Sequence, residues 1–403
     1  MKLIKMNNKY ILLLLFVLSG IATLPLQAEE PQKLSKSAYA SILTCGPGNE
    51  YYDSFGHTAI RVKDEENGID VVFNYGSFDF DVPHFYLRFS RGMLDYFVLP
   101  YSYPEFMIEY ELGGRAVWEQ HLLLDSTELQ TLFDALVENV QPENMYYKYD
   151  FFRDNCATRV RDILEQSIDK NKCIPDIIPS KDVSYRDLLY KYTEKRLLWW
   201  RLGIDLLLGS NCDRTLTSKQ YMYIPMEMMT QYDTAVLADG SKPTDGIKLI
   251  LKECRPLPKN SFPPTLCFWF LFAIVVILTI MELKKGWRLY WLDAILYGAA
   301  GLLSLLILFL WFGSDHWCSK YNLNIIWANP LLLWLLIRLR KKNTVVRIIM
   351  IALLAVFLAG WAWWPQHFNA AVIPITLTLI MRLTARIFTK NENDNSNSEK
   401  KQK

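Results

Sequence analysis

The feature that most limits what this chain can fold into is an abrupt change of composition at residues 256–264. From about residue 31 up to it, charged residues, Gly and Pro turns and many aromatics are mixed as in an ordinary globular domain. Beyond it, apolar runs follow at about 265–283, 289–312, 323–339, 345–364 and 369–388. Each is close to the ~20 residues an α-helix needs to cross a bilayer. Five spans are therefore expected, with Asn329-Pro330 and Pro374 marking the third and fifth as places to kink or re-enter.

Orientation follows from charge. Lys2, Lys5 and Lys9 precede an apolar run from Ile11 to Leu18, and Gly20, Ala22 and Ala28 complete the layout of a secretory signal over 1–28, either cleaved or kept as an anchor. Cytoplasmic loops concentrate Lys and Arg. Lys284, Lys285 and Arg288 follow the first run, and Arg338, Arg340, Lys341, Lys342 and Arg347 follow the third, whereas the alternate loops hold Lys320 alone. The segment 31–260 is thus placed outside the cytoplasm and the tail 389–403 inside. That tail, rich in Asn, Lys, Ser and Glu, reads as disordered. The net charge of +2 leaves no basic surplus for a nucleic-acid partner. The layout is that of a bacterial periplasmic enzyme carried on the inner membrane.

About 230 exported residues are enough to bury a core. Their periodicity predicts an α+β fold. Strands are expected at residues 38–45, 57–63, 70–75, 94–99 and 115–123, the second and third forming a hairpin. Helices are expected at 103–112, at 127–139 with Thr127 and Gln130 as a capping box, and at 155–166.

Within this frame Cys156 is the residue with chemistry. Asp154 or Asn155 makes a good N-cap, which puts Cys156 in a first helical turn where free N–H groups and the macrodipole favour an anion. Its thiol pKa is expected to fall toward neutrality, and the same N–H groups can face an oxyanion. Of the five histidines, His57 has the best context for a base, since it opens a strand at the sheet edge after a Gly-containing loop. Its second nitrogen needs a polar partner. Asn74 is the first choice from the hairpin register, with Asp79 and Tyr75 behind it. Against this stands the bland reading that buried thiols and core histidines are common. Cys45, Cys173, Cys212 and Cys254 share the oxidising compartment, so one or two disulfides are allowed and Cys156 itself is open to pairing.

The stretches Leu43-Thr44-Cys45-Gly46-Pro47-Gly48, Ser54-Phe55-Gly56-His57-Thr58-Ala59, Phe73-Asn74-Tyr75-Gly76 and Asp154-Asn155-Cys156-Ala157-Thr158-Arg159 resemble the periplasmic domain of the Lnb-type lipoprotein N-acyltransferases. The likeness covers roughly residues 35–215 and extends more loosely over the membrane spans. The Phe-Gly-His and Asn-Cys elements are also similar to the permuted papain-like group that includes lecithin–retinol acyltransferase, in which His precedes Cys. The resemblance implies a permuted papain-like exported domain, an antiparallel sheet plus helices, followed by an all-α bundle of about five transmembrane helices. It implies Cys156 as nucleophile and His57 as base, a phospholipid acyl donor, a thioester on Cys156, and the α-amine of a diacylated lipoprotein as acceptor.

No cofactor motif or metal-ligand spacing is present. The aromatics at 78–97 and 146–152 are expected to supply either core packing or an acyl channel facing the outer leaflet. Leu197-Leu198-Trp199-Trp200-Arg201 is expected to pack as an ordinary helix or to dip toward headgroups. Two other classes remain open on the residues themselves: an exported cysteine hydrolase acting on cell-wall peptides, and a non-catalytic envelope assembly factor.

Overall fold

The computed structural model describes residues 32–177, 182–193, 196–255 and 262–388. The signal expected at 1–28 and the tail expected at 389–403 lie outside the described residues.

The exported part is built on one antiparallel sheet. Its strands are β1 (Tyr39–Cys45), β2 (His57–Asp64), β3 (Ile69–Ser77), β4 (Asp95–Ser102), β5 (Val117–His121), β6 (Tyr146–Lys148) and β7 (Lys248–Leu251), in the order β6-β4-β3-β2-β1-β5-β7. The β2–β3 hairpin forms as expected, with Ile60 opposite Phe73. Cys45 and His57 face each other at the open end of β1 and β2.

Successive side chains of a strand point to opposite faces, and here both faces are covered. Ile42, Ile60, Val62, Phe73 and Tyr75 pack against the helices Ser126–Asn139, Cys156–Ser167 and Pro225–Thr234. Leu43, Cys45, Ala59 and Val72 pack on the other side against Phe106, Met107 and Tyr110 of the helix Tyr103–Gly113. This is why β1 and β2 are buried almost without interruption although their sequences alternate. Leu132 and Leu136 are fully buried, each contributing about 1.5–3 kcal/mol of transfer free energy.

Details differ from the sequence reading. The helix expected from Thr127 starts at Ser126, and its capping box is Asp125 with Glu128 in place of Thr127 with Gln130. Asp125 accepts from two backbone N–H groups at 2.9 and 3.0 Å, so its carboxylate serves the helix start better than the Thr127 hydroxyl two residues on. The short edge strands β6 and β7 carry too few residues for a period to show.

Among the described residues of the membrane part, two helices are long and apolar enough to cross a bilayer, Pro264–Lys285 and Tyr290–Phe312. Two shorter ones, Thr344–Ala359 and Val372–Phe388, complete its core with Tyr297, Trp327, Leu354, Phe357 and Leu379. The third expected span is broken. A 3-10 turn at Leu323–Ile326 leads to Asn329, whose Oδ1 accepts from Leu331 N at 3.0 Å, and only then does the helix Leu331–Ile337 begin. Pro330 has no N–H and its ring disfavours a helical residue before it, so the break falls where Asn329-Pro330 put it.

The two parts share a polar seam. Gly209 N donates to Cys318 O at 2.7 Å, Asn322 Nδ2 to Leu206 O at 2.9 Å, and Gln366 Nε2 to Leu208 O at 3.1 Å. A Cβ at Gly209 would lie 1.9 Å from Lys320 O, so glycine is what permits the backbones to meet. Trp199, from the expected interfacial motif, donates to Phe262 O at 3.2 Å and packs on Phe268 at the start of the first span.

Candidate active site

Asn155 is the N-cap of the helix Cys156–Ser167. Its Oδ1 accepts from Thr158 N at 2.9 Å while Thr158 Oγ1 accepts from Asn155 N at 2.7 Å, a reciprocal capping box. The Asn155 amide also donates to Phe151 O and Tyr223 O, both at 2.7 Å, fastening the helix start to the surrounding chain. Cys156 is consequently the first helical residue. Its sulfur accepts from the backbone N–H groups of Thr58 and Ala157, so the start of β2 and the helix N-terminus meet at one atom.

His57 stands beside it. Its Nε2 donates to Asn74 Oδ1 at 2.5 Å, which leaves Nδ1 unprotonated and able to accept a proton. Asn74 is thus the partner that the hairpin register pointed to. Tyr75, one residue on, is turned into the core, where its hydroxyl accepts from Asn139 Nδ2 at 2.8 Å, and Asp79 is exposed.

The three come together around Gly76. A Cβ there would lie 3.6 Å from Cys156 Cβ, 3.9 Å from His57 Cε1 and 4.0 Å from the Tyr147 hydroxyl. Gly76 has φ +96°, a conformation that only glycine adopts without strain, beside a register shift between β3 and β4. The sheet is locally bent to hold these groups at one point.

The electrostatics correct the sequence reading of Cys156. Burial pushes its thiol up to about 11, and the N–H groups of Thr58 and Ala157 recover only part of that shift. Burial likewise pushes His57 down to about 4, against an upward pull from Asn74. At neutral pH both are uncharged, so there is no standing thiolate–imidazolium pair. All seven cysteines are free, so Cys156 is not committed to a disulfide.

A cleft of about 390 Å³ opens over the pair, with Phe78, Tyr96, Phe97, Tyr149 and Phe151 among its walls. Two groups in or beside it were not singled out from sequence. Arg115 donates through Nε to Gly46 O at 2.9 Å and pairs with Asp53 at 3.3 Å, but its Nη2 is buried without a partner. The Tyr147 hydroxyl is also buried and unpartnered, with the Arg159 guanidinium over its ring. Only the sheet edge where β6 pairs with β4 brings Tyr147 to Cys156, and no spacing in the sequence announces that.

Such an arrangement holds a nucleophile, a base with its tautomer fixed, spare N–H and O–H donors, and an apolar wall. That is the equipment of acyl transfer through a thioester.

Two family models match the chain. Residues 31–199 match the Lnb N-terminal periplasmic domain, and residues 257–393 match the Lnb transmembrane domain. No curated protein and no solved structure shows a significant match.

Proposed function

The chain belongs to the Lnb-type lipoprotein N-acyltransferases, inner-membrane proteins with a periplasmic domain, and on that premise we propose that Cys156 carries the acyl group between a phospholipid and a lipoprotein amine. The observation that carries this reading is the meeting of Cys156, His57 and Asn74 around Gly76, inside an aromatic cleft on a domain joined to membrane helices.

The chemistry starts from a neutral pair. As Cys156 Sγ attacks an ester carbonyl of the phospholipid, its proton passes to His57 Nδ1, and Asn74 Oδ1 steadies the imidazolium that forms. The carbonyl oxygen becomes an oxyanion, for which the helix-start N–H groups and the Tyr147 hydroxyl are the nearest donors. Collapse breaks the ester C–O bond, the lysophospholipid oxygen takes the proton back from His57, and an acyl-thioester remains on Cys156. The α-amine of a diacylglyceryl-cysteine then attacks the thioester. Its proton goes to His57 and on to the departing sulfur, leaving an amide and the free thiol. An α-amine titrates near pH ~8, so about a tenth of it is already uncharged at pH 7 and the base has a modest task.

Water in place of the amine would make the same site a hydrolase. Phospholipid incubated with the purified protein should leave a hydroxylamine-sensitive acyl adduct on Cys156 by mass spectrometry, and a diacylated lipopeptide should discharge it as an amide. Absence of both adduct and lysophospholipid overturns the acyltransferase reading, and release as free fatty acid with the lipopeptide present favours the hydrolase.

A further inference from the structure

The short helix Phe85–Ser90 buries none of its residues, although it carries Phe85, Tyr86, Leu87 and Phe89. Tyr86 is 80% exposed, and Phe80, Leu87, Phe89 and Met93 are exposed beside it. A contiguous apolar patch of this kind on a soluble face marks a contact with a partner or a membrane.

Its place in the fold identifies the partner. His316 Nε2 lies 2.8 Å from Phe89 O, and Asp315 N donates to Arg91 O at 2.8 Å. Asp315 and His316 come just after the helix Tyr290–Phe312, whose length of 23 residues matches the hydrocarbon core and whose final residue Phe312 is itself 78% exposed. By the distribution of Lys and Arg, this is the end that emerges on the outer side. The patch is therefore held at the height where the bilayer surface lies, with Arg88 and Arg91 exposed on the same segment at headgroup level.

The patch also continues inward. Ring centroids run from Phe89 to Phe85 at 6.4 Å, Phe85 to Phe80 at 4.9 Å, Phe80 to Phe78 at 4.8 Å, Phe78 to Tyr96 at 5.1 Å and Tyr96 to Tyr149 at 4.1 Å. Phe78, Tyr96 and Tyr149 are walls of the Cys156 cleft. An unbroken aromatic track thus joins the bilayer surface to the nucleophile.

We propose that the segment Phe78–Met93 is a lateral portal: its exposed face inserts into the outer leaflet, and its ring track conducts one acyl chain of a bilayer phospholipid to Cys156. This deepens the acyl-transfer reading above and rests on it only for the identity of the chain's destination. Each methylene exposed to water is unfavourable, so a track that keeps the chain in apolar contact lets a phospholipid lift its ester toward the cleft without exposing the tail to water.

Proteoliposomes of the full chain containing a phosphatidylcholine with a diazirine in its acyl chain test this directly. Photolysis should crosslink peptides within 78–93 in addition to the membrane helices. A Leu87→Asp/Phe89→Asp variant should lower Cys156 acylation from vesicles at least tenfold relative to acylation by a water-soluble short-chain aryl ester. Crosslinks confined to the membrane helices, or an unchanged ratio, overturn the portal, as does labelling of this segment by a diazirine-bearing diacyl lipopeptide but not by the phospholipid. Crosslinks at 78–93 with no acyl adduct on Cys156 support the portal and overturn the phospholipid-donor reading, so the two failures are separable.

Discussion

Two of the buried polar centres among the described residues differ in what lies beside them. In the membrane part, Arg382 reaches Glu282 and Asp293 at 2.7 Å each, Arg386 meets the same two carboxylates, and Arg382 also donates to Thr279 at 2.8 Å. Arg382, Glu282 and Asp293 have no exposed surface at all. In the periplasmic part, Cys156, His57, Asn74 and Arg115 line a cleft with Tyr147 beside it, and Arg115 Nη2 and the Tyr147 hydroxyl have no partner. The first centre sets two guanidinium groups against two carboxylates and ties three helices together, although Arg382 Nη2 and Arg386 Nη2 are also left without a hydrogen-bond partner. The second keeps open valences toward an empty volume. Buried polarity whose charges balance inside packed helices holds a fold, whereas buried polarity with spare donors next to a cavity is where a substrate fits.

The largest expected effect tests the open centre. Cys156→Ala should lower acyl transfer by about 10⁴-fold or more while shifting unfolding by only about 1 kcal/mol, as read by adduct mass and by thermal unfolding in detergent. Equal loss of fold and activity would erase the distinction between the two centres. The mirror test is Arg382→Met, which leaves Glu282 and Asp293 to share Arg386 alone and should cost about 3–5 kcal/mol of stability. Pairing it with Asp293→Leu should restore part of that loss, since the remaining Glu282 keeps Arg386.

A smaller effect probes the unpartnered hydroxyl. Tyr147→Phe should reduce kcat by about 10²-fold with KM little changed, the mark of a donor used only as charge develops. Gly76→Ala forces a side chain into φ +96° beside Cys156, at about 1–2 kcal/mol, and should depress rate and stability together. The gentlest test is pH. With His57 pushed down to about 4 and Cys156 up to about 11, the rate of Cys156 acylation by phospholipid should be flat through neutrality and fall only as His57 takes a proton near pH 4. Stability has the matching sign. The unfolded chain protonates its histidine at about 6.5, so stability is full above that value and drops as pH falls toward 4. At the alkaline end the unfolded thiol ionises first, and stability declines as pH rises toward 11. A rate that peaks sharply near neutral pH would point instead to a standing ion pair.

What could be read from the chain and what could not divides along physical lines. The strands of the hairpin, the helix start at Cys156 and the partner of His57 follow from local rules of alternation, capping and register, each acting within a few residues or across one turn. Tyr147 and Arg115 reach the cleft through the sheet edge and a long-range pairing with Asp53, which leave no periodic trace. The thiol's pKa was missed for another reason: the helix-start effect is local and visible, but the desolvation that outweighs it depends on what the whole domain packs over the sulfur. The broken third span was signalled by Asn329-Pro330, while the seam at Gly209 was not, because close backbone approach between distant segments has no sequence pattern.

The burial of Cys156 has a consequence for durability. Thiolates attack peroxide and small disulfides, and a thiol held near 11 presents almost none of that form at neutral pH. In a compartment that oxidises exposed, low-pKa cysteines to sulfenic acid or mixed disulfides, this sulfur is kept in reserve between turnovers. It becomes nucleophilic only at the moment His57 removes its proton, and so only when an ester is there to receive it.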